Sequence, residues 1–246
     1  MKSDLKKITT VIELGPGTFT KTNEIMKQGK RLVDYYVVDI NKVLLEKHIP
    51  ILAKKFPEKR VIGLFGTFDK ALCRLKEVLD KIPWENICLL SLGSTLSNSP
   101  TMGIEAVENW TFLAGKVILG HDGNTNPSTV KEAYSTPAFN NFLYGGLRGI
   151  NSLTGKEIFI LVDWEILPPV IKYKPFRVQV SIMAIQKTTM FEKGHMILLF
   201  ESYKYEKEDF VMAFSTAGFK VITYSAPNTE SNIFTITPPN RRLATH

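Results

Sequence analysis

Apolar and polar positions alternate in blocks through the first half of the chain. Short apolar runs such as Val11-Ile12-Glu13-Leu14, Tyr35-Tyr36-Val37-Val38, Ile87-Cys88-Leu89-Leu90 and Val117-Ile118-Leu119 are separated by longer stretches of mixed character. The pattern predicts strands over 11–15, 32–39, 60–65, 86–92 and 116–121, and helices over 21–29, 42–55, 68–80 and 101–112. Strands that alternate with helices through short connections form a parallel sheet covered on both faces. The pattern then changes. A helical region over 127–153 precedes two segments, 157–171 and 177–190, that are rich in Val, Ile, Phe and Trp and read as long strands, with another at 195–202. A helix from Asp209 to Ala217 stops at Gly218, and strands follow at 219–225 and 232–237. The expected fold is α/β: a doubly wound, mostly parallel sheet of the Rossmann type formed by 1–123 and 203–246, with a mixed α+β subdomain inserted over 124–202.

The first strand carries the most specific local signal. It runs into Gly15-Pro16-Gly17-Thr18 and then a helix, which is the arrangement that lets a ligand approach the main chain. Thr18 or Thr20 is expected to cap that helix, taken to start near Thr22. The glycines occur as GxG, so the longer dinucleotide fingerprint is not met. Glu13 lies immediately before the turn, where a carboxylate repels a pyrophosphate but attracts an ammonium or sulfonium centre. That favours S-adenosylmethionine over NAD; the plain alternative is a strand-to-helix turn with no ligand. Asp39 ends the second strand, roughly 20 residues beyond the glycines, where doubly wound folds place a carboxylate on ribose hydroxyls. It could equally serve as N-cap of the helix that follows.

Composition narrows the class. At 246 residues with 44% hydrophobic and 11% aromatic residues, the chain is long enough to bury one good core. The net charge of +7 comes from lysines such as Lys42, Lys47, Lys54, Lys55 and Lys59, spread over helix faces instead of forming one basic stripe, so nucleic acid is not expected as a partner. Cys73 and Cys88 are both expected in apolar surroundings, and no signal peptide or apolar run of membrane-spanning length is seen. The reading is a reduced, cytoplasmic protein with no membrane role. The histidines at 48, 121, 195 and 246 are scattered, and no Cys/His spacing suits a metal.

Taken together, Glu13-Leu14-Gly15-Pro16-Gly17-Thr18 with Lys21-Thr22, Gly66-Thr67-Phe68-Asp69, Leu92-Gly93-Ser94-Thr95-Leu96-Ser97-Asn98, Lys131-Glu132-Ala133-Tyr134 and Ser202-Tyr203-Lys204-Tyr205 resemble the histidine-specific methyltransferases of ergothioneine biosynthesis. Through Gly66-Thr67-Phe68-Asp69 and Gly146-Leu147 with Asn151, the chain is more similar still to their fungal relatives, the dimethylallyltryptophan N-methyltransferases of ergot alkaloid pathways. The resemblance covers about residues 10 to 225. It implies a class I methyltransferase-like fold, S-adenosylmethionine as cofactor, a place in fungal secondary metabolism, and methyl transfer to the amine of an amino acid or an amino-acid-derived small molecule.

The resemblance also implies roles for single residues. Gly15, Gly17 and Gly93 would line the cofactor, Lys21 would hold its methionine part, and Phe68 would lie beside the adenine. Thr67 stands where the bacterial enzymes have an adenine-binding aspartate. Asn98 and Tyr134 would hold the substrate carboxylate and Ser202 would offer a hydroxyl, while Phe200 replaces the glutamate that reads an imidazole. Glu201 alternates to the other strand face and should not replace it. Histidine is thereby disfavoured, and an apolar or aromatic side chain is favoured. The family carries an N-terminal helical lid, whereas only Met1 to Thr10 precede the glycine strand here. Three outcomes are open: a pocket accessible to a larger substrate, a second identical or different chain covering it, or loss of catalysis, in which case the chain is a cofactor-binding or silent subunit of a larger complex. No histidine or paired-carboxylate constellation announces a general base.

Overall fold

The computed structural model describes residues 7–225 and 229–239; Met1 to Lys6 of the leading segment and His246 lie outside them. The chain divides into two compact units, one comprising 1–123 and 207–246, the other 124–206.

The first unit is built on a seven-stranded sheet. Its elements are β1 (Thr10–Leu14), α1 (Thr20–Gln28), β2 (Asp34–Asp39), α2 (Lys42–Lys55), β3 (Arg60–Phe65), α3 (Phe68–Val78), β4 (Ile87–Ser91), α4 (Ile104–Trp110) and β5 (Lys116–Asp122). The second unit follows in sequence with α5 (Pro127–Ala133), α6 (Pro137–Thr154), β6 (Trp164–Ile166), β7 (Val170–Tyr173), β8 (Phe176–Ala184) and β9 (Met196–Tyr203). The chain then returns to the first unit with α7 (Lys207–Thr216), β10 (Lys220–Ser225) and β11 (Ser231–Thr237).

Strand order in the large sheet is β10-β11-β5-β4-β1-β2-β3. β1 pairs in parallel with β2 on one side and β4 on the other, so the winding reverses between β1 and β4. Ligand crevices in doubly wound sheets open at that reversal, outside the carboxyl ends of the strands. β11 runs antiparallel to both its neighbours, β5 and β10. Alternation along the strands feeds two apolar layers. Ile12 and Leu14 point to the side covered by α3, α4 and α7, while Val11, Tyr35 and Val37 point to the side covered by α1 and α2.

The second unit has a four-stranded antiparallel sheet in which β8 pairs with β6, β7 and β9. Two expectations change here. The helical region is two helices, broken at Tyr134–Thr136 before Pro137, since a residue preceding proline is pushed out of the helical region. The long strand expected over 157–171 is instead a short 3₁₀ turn at Leu161–Asp163 and the separate strands β6 and β7. Pro168 and Pro169 lie between these strands and have no N–H to give a ladder. The strand expected over 177–190 ends at Ala184.

Candidate functional site

Gly15 and Gly17 both hold φ of 63°, in the left-handed region that favours glycine. They differ in surroundings. A Cβ on Gly15 would lie 3.0 Å from Thr95 Oγ1, so the turn after β1 touches the loop after β4 there. A Cβ on Gly17 would meet nothing within 4 Å, so its missing side chain leaves open space beside an exposed main chain.

Helix α1 starts differently from expectation. Its N-cap is Phe19, itself left-handed at φ 61°, and neither Thr18 nor Thr20 caps it. Their hydroxyls bond to each other at 3.1 Å. A capping side chain needs extended backbone to aim its oxygen at the first-turn amides. Phe19 is instead buried and stacks on His48 of α2, ring centroids 4.7 Å apart.

Glu13 is buried at 1% exposure on the face of β1 that meets α1 and α2. One carboxylate oxygen, Oε2, accepts from Thr22 Oγ1 at 2.6 Å and from Tyr35 Oη at 2.9 Å. Both donors converge on the same oxygen, which leaves Oε1 for a third. Burial raises the carboxyl above its ordinary range, opposed by the two hydroxyl donors and the nearby Lys21 ammonium. Tyr35 is pushed well above the usual phenol range by the same burial and by the Glu13 charge.

Lys21 donates to the carbonyl of Leu92 at 2.7 Å, tying the start of α1 to the end of β4. An ammonium has three donors, so this bond leaves others for a ligand carboxylate. Asp39 is not the cap of α2. That cap is Asn41, whose side chain accepts from the Leu44 amide, while Asp39 Oδ1 accepts from the Asn41 amide at 2.8 Å. Its other oxygen keeps its lone pairs. Gly66 donates its N–H to the Asp39 carbonyl, which brings the loop after β3 alongside. In that loop Thr67 caps α3 through Lys70, at 3.5 Å, and Phe68 packs partly buried against the large apolar layer. Gly93 is exposed after β4.

Asn98 also lies in the loop after β4. The helix downstream starts at Ile104 with Gly103 as its left-handed cap, so Asn98 is not a helix cap. Its backbone N–H donates to the Ser94 carbonyl at 2.9 Å. Neighbouring Ser97 pairs with His121 Nδ1 at 2.9 Å, both residues buried. Nothing in their spacing announced this pair; a histidine closing an apolar strand was the only trace.

The remaining candidates gather in the second unit. Tyr134 Oη donates to Ser202 Oγ at 2.9 Å, its ring lies 5.5 Å from that of Phe200, and Phe139 completes the group at 5.0 and 5.2 Å. Phe200 and Ser202 therefore share a face of β9. Glu201 points to the other face, where it accepts from Arg177 and Gln179. Cys88 is buried, with its thiol pushed up to about 12 by burial, whereas Cys73 is exposed on α3 and not in the expected apolar surroundings. Among the described residues no group of three or more His, Cys, Asp or Glu could hold a metal, and no helix is long and apolar enough to cross a membrane.

The residues thus form one cluster at the carboxyl ends of β1 to β4, holding Glu13, Gly15, Gly17, Lys21, Asp39, Thr67, Phe68, Gly93 and Asn98, and a second just after α5 and on β9, holding Tyr134, Phe200 and Ser202. A family model for SAM-dependent, histidine-specific methyltransferases matches residues 1–236. The chain belongs to that family. Among curated methyltransferase-family relatives, it is 27% identical over 241 residues to ergothioneine biosynthesis protein 1 of Neurospora crassa, covering 91% of this chain and 27% of that protein. It is 24% identical to N-methyltransferase fsqC of Aspergillus fumigatus, over 87% of this chain and 62% of that one. It is also 25% identical to the 4-dimethylallyltryptophan N-methyltransferase easF of Trichophyton verrucosum, over 89% and 72%. The chain thus spans less than two thirds of the length of the first two of these relatives. Solved methyltransferases share the fold: SibL in its apo form, at TM-score 0.50 and 14% identity, covers 96% of this chain and 52% of its own. A small RNA methyltransferase gives 0.52 at 12% identity, over 96% and 24%.

Proposed function

We propose that this chain is an S-adenosylmethionine-dependent N-methyltransferase acting on the amine of an amino acid or an amino-acid-derived small molecule. The observation that carries the reading is Glu13: a buried carboxylate beside a left-handed glycine turn, with both protein donors on one oxygen and the other oxygen left for a cation. The donor set fits the cofactor. Glu13 and the Gly15–Gly17 main chain would meet its charged methionine end, with a second charged contact from Lys21. Asp39 would take the ribose hydroxyls, and Phe68 with Thr67 and Gly93 would flank the adenine. When bound, the cofactor supplies an electrophilic methyl group. The chain's part is then to hold a neutral amine in line with it, which is catalysis by positioning.

On the substrate side Asn98 in the first unit and, within the second, Tyr134 and Ser202 supply neutral hydrogen-bonding groups of the kind that can donate to a carboxylate. Phe200 and Phe139 favour an apolar or aromatic side chain over imidazole. The rest of the reading is a small-molecule enzyme of the cytoplasm and of secondary metabolism, without nucleic acid or membrane as partner. The scattered lysines speak against nucleic acid.

A second reading, a cofactor-binding but silent subunit, is favoured by one observation. Thr67 brings an uncharged hydroxyl to the place of the aspartate, and a hydroxyl binds an adenine amine more weakly than an ionised acid does. Calorimetry with S-adenosylhomocysteine, followed by incubation of a panel of free amino acids with methyl-deuterated cofactor and mass spectrometry, separates the two. Binding with label transfer supports the enzyme, and binding without transfer supports the silent subunit. No binding sinks both.

A further inference from the structure

We infer that His121 is a positioning residue that acts through Ser97 to fix the loop carrying Gly93 and Asn98; its bearing on ligands rests on the methyltransferase reading. Three successive residues at the end of β5 grip this loop. The Gly120 carbonyl accepts from the Ser94 amide at 3.2 Å, His121 Nδ1 pairs with Ser97 Oγ at 2.9 Å, and the Asp122 amide donates to Ser94 Oγ at 3.2 Å. A Cβ on Gly120 would lie 2.7 Å from the Leu92 carbonyl oxygen, so strand and loop are in main-chain contact. Ser94 is held at φ 59°, an uncommon conformation for a residue with a side chain, which surrounding contacts must impose.

The chemistry at position 121 is not what packing asks for. Val117 and Leu119 occupy the same face of β5 within the apolar layer, and His121 continues their row at 3% exposure, stacked 5.6 Å from Phe210 of α7. An apolar side chain would fill that place without a polar group to satisfy. The imidazole instead meets a serine that is 1% exposed and adjacent to Asn98. The Asn98 backbone N–H then donates back to the Ser94 carbonyl. The pair therefore sets where two candidate ligand-binding residues stand, although neither His121 nor Ser97 needs to touch a ligand.

The test uses the full chain with His121→Leu, Ser97→Ala, the double variant, and His121→Asn, whose side-chain amide keeps a polar atom near the place of Nδ1. Two readouts are amide hydrogen exchange over 92–99 and calorimetric affinity for S-adenosylhomocysteine well below the unfolding temperature. Loss of one neutral hydrogen bond predicts loop exchange faster by about threefold to tenfold and affinity weaker by a similar factor. The double variant should be no worse than His121→Leu, because the two groups act as a unit. Exchange in α2 and β3 should not change, and His121→Asn should recover most of both losses. If both single variants keep loop exchange and affinity within about twofold of the wild type, the inference is overturned. Should His121→Leu fail to fold, Ser97→Ala decides, since it removes one hydroxyl only. A wild type that binds no S-adenosylhomocysteine overturns the methyltransferase reading instead, and loop exchange alone then decides the role of His121.

Discussion

Removing the Tyr35 hydroxyl should destabilise the protein by an amount that depends on pH, and the dependence is the informative part. Tyr35 is fully buried and donates to Glu13 Oε2 at 2.9 Å, on the same oxygen as Thr22. The carboxyl of Glu13 is raised from 4.5 chiefly by burial, against the pull of these donors. Because the folded carboxyl keeps its proton to higher pH than the unfolded one, the folded state binds more protons between the two values. Stability from this group therefore falls as pH rises through that window and is flat below about 4.5. In Tyr35→Phe the carboxyl loses a donor, so it should rise further.

When Glu13 is neutral the lost bond costs about 0.5–1.5 kcal/mol; when it is charged the loss is about 1.5–3 kcal/mol. The penalty should thus grow by about 1 kcal/mol from acid to alkaline conditions, or roughly 2–4 °C in melting temperature for a chain of this size. Denaturant titrations of both proteins across the pH range, at constant ionic strength, measure it. A penalty equal at both ends would refute the reasoning, since it would mean that the hydroxyl does not support the Glu13 charge.

Asp39→Ala should weaken S-adenosylhomocysteine binding by about 1–3 kcal/mol, read by calorimetry, with only a small stability loss from the exposed contact to Asn41; unchanged affinity would leave Asp39 as a turn residue only. Gly17→Val should cost about 1–2 kcal/mol of stability from its left-handed backbone and abolish cofactor binding by filling the open space beside it, as a competition titration would show. Native protein near neutral pH should react with a thiol reagent at Cys73 alone, and a second thiol should appear only in denaturant, because burial holds the Cys88 thiol near 12. Phe200→Glu should raise methyl transfer to histidine relative to apolar amino acids in the mass-spectrometric panel; an unaltered preference would remove Phe200 from substrate choice.

Most of the large sheet could be read from the sequence because each of its parallel strands is a short apolar run bounded by turn residues, and α2 and β3 fall where periodicity puts them. The errors have local causes. Pro168 and Pro169 break what composition alone presents as one long strand. Phe19 and Asn41 take the capping positions that the hydroxyl of Thr18 and the carboxylate of Asp39 offered on paper, because backbone geometry decides which side chain can face the first turn. In the candidate site the glycine turn and Asp39 are local signals and were visible. Tyr35 and Thr22 on Glu13, Lys21 on Leu92 and Ser97 on His121 depend on which strands are neighbours, and sequence spacing carries no trace of that.

The position of β11 has a consequence for how the protein is made. β5 has β4 on one side and β11 on the other, yet the whole of unit 124–206 is synthesised between β5 and the strand that covers it. At about 5–20 residues per second of synthesis, the growing chain spends several seconds with an unpaired edge at β5, flanked by the buried side chains of Val117 and Leu119. During that interval the inserted unit has time to form its own sheet, whereas the first unit waits for its last strand. Nascent chains arrested before Lys220 should accordingly be captured by chaperones and prone to edge-to-edge association, and emergence of β10 and β11 should end both.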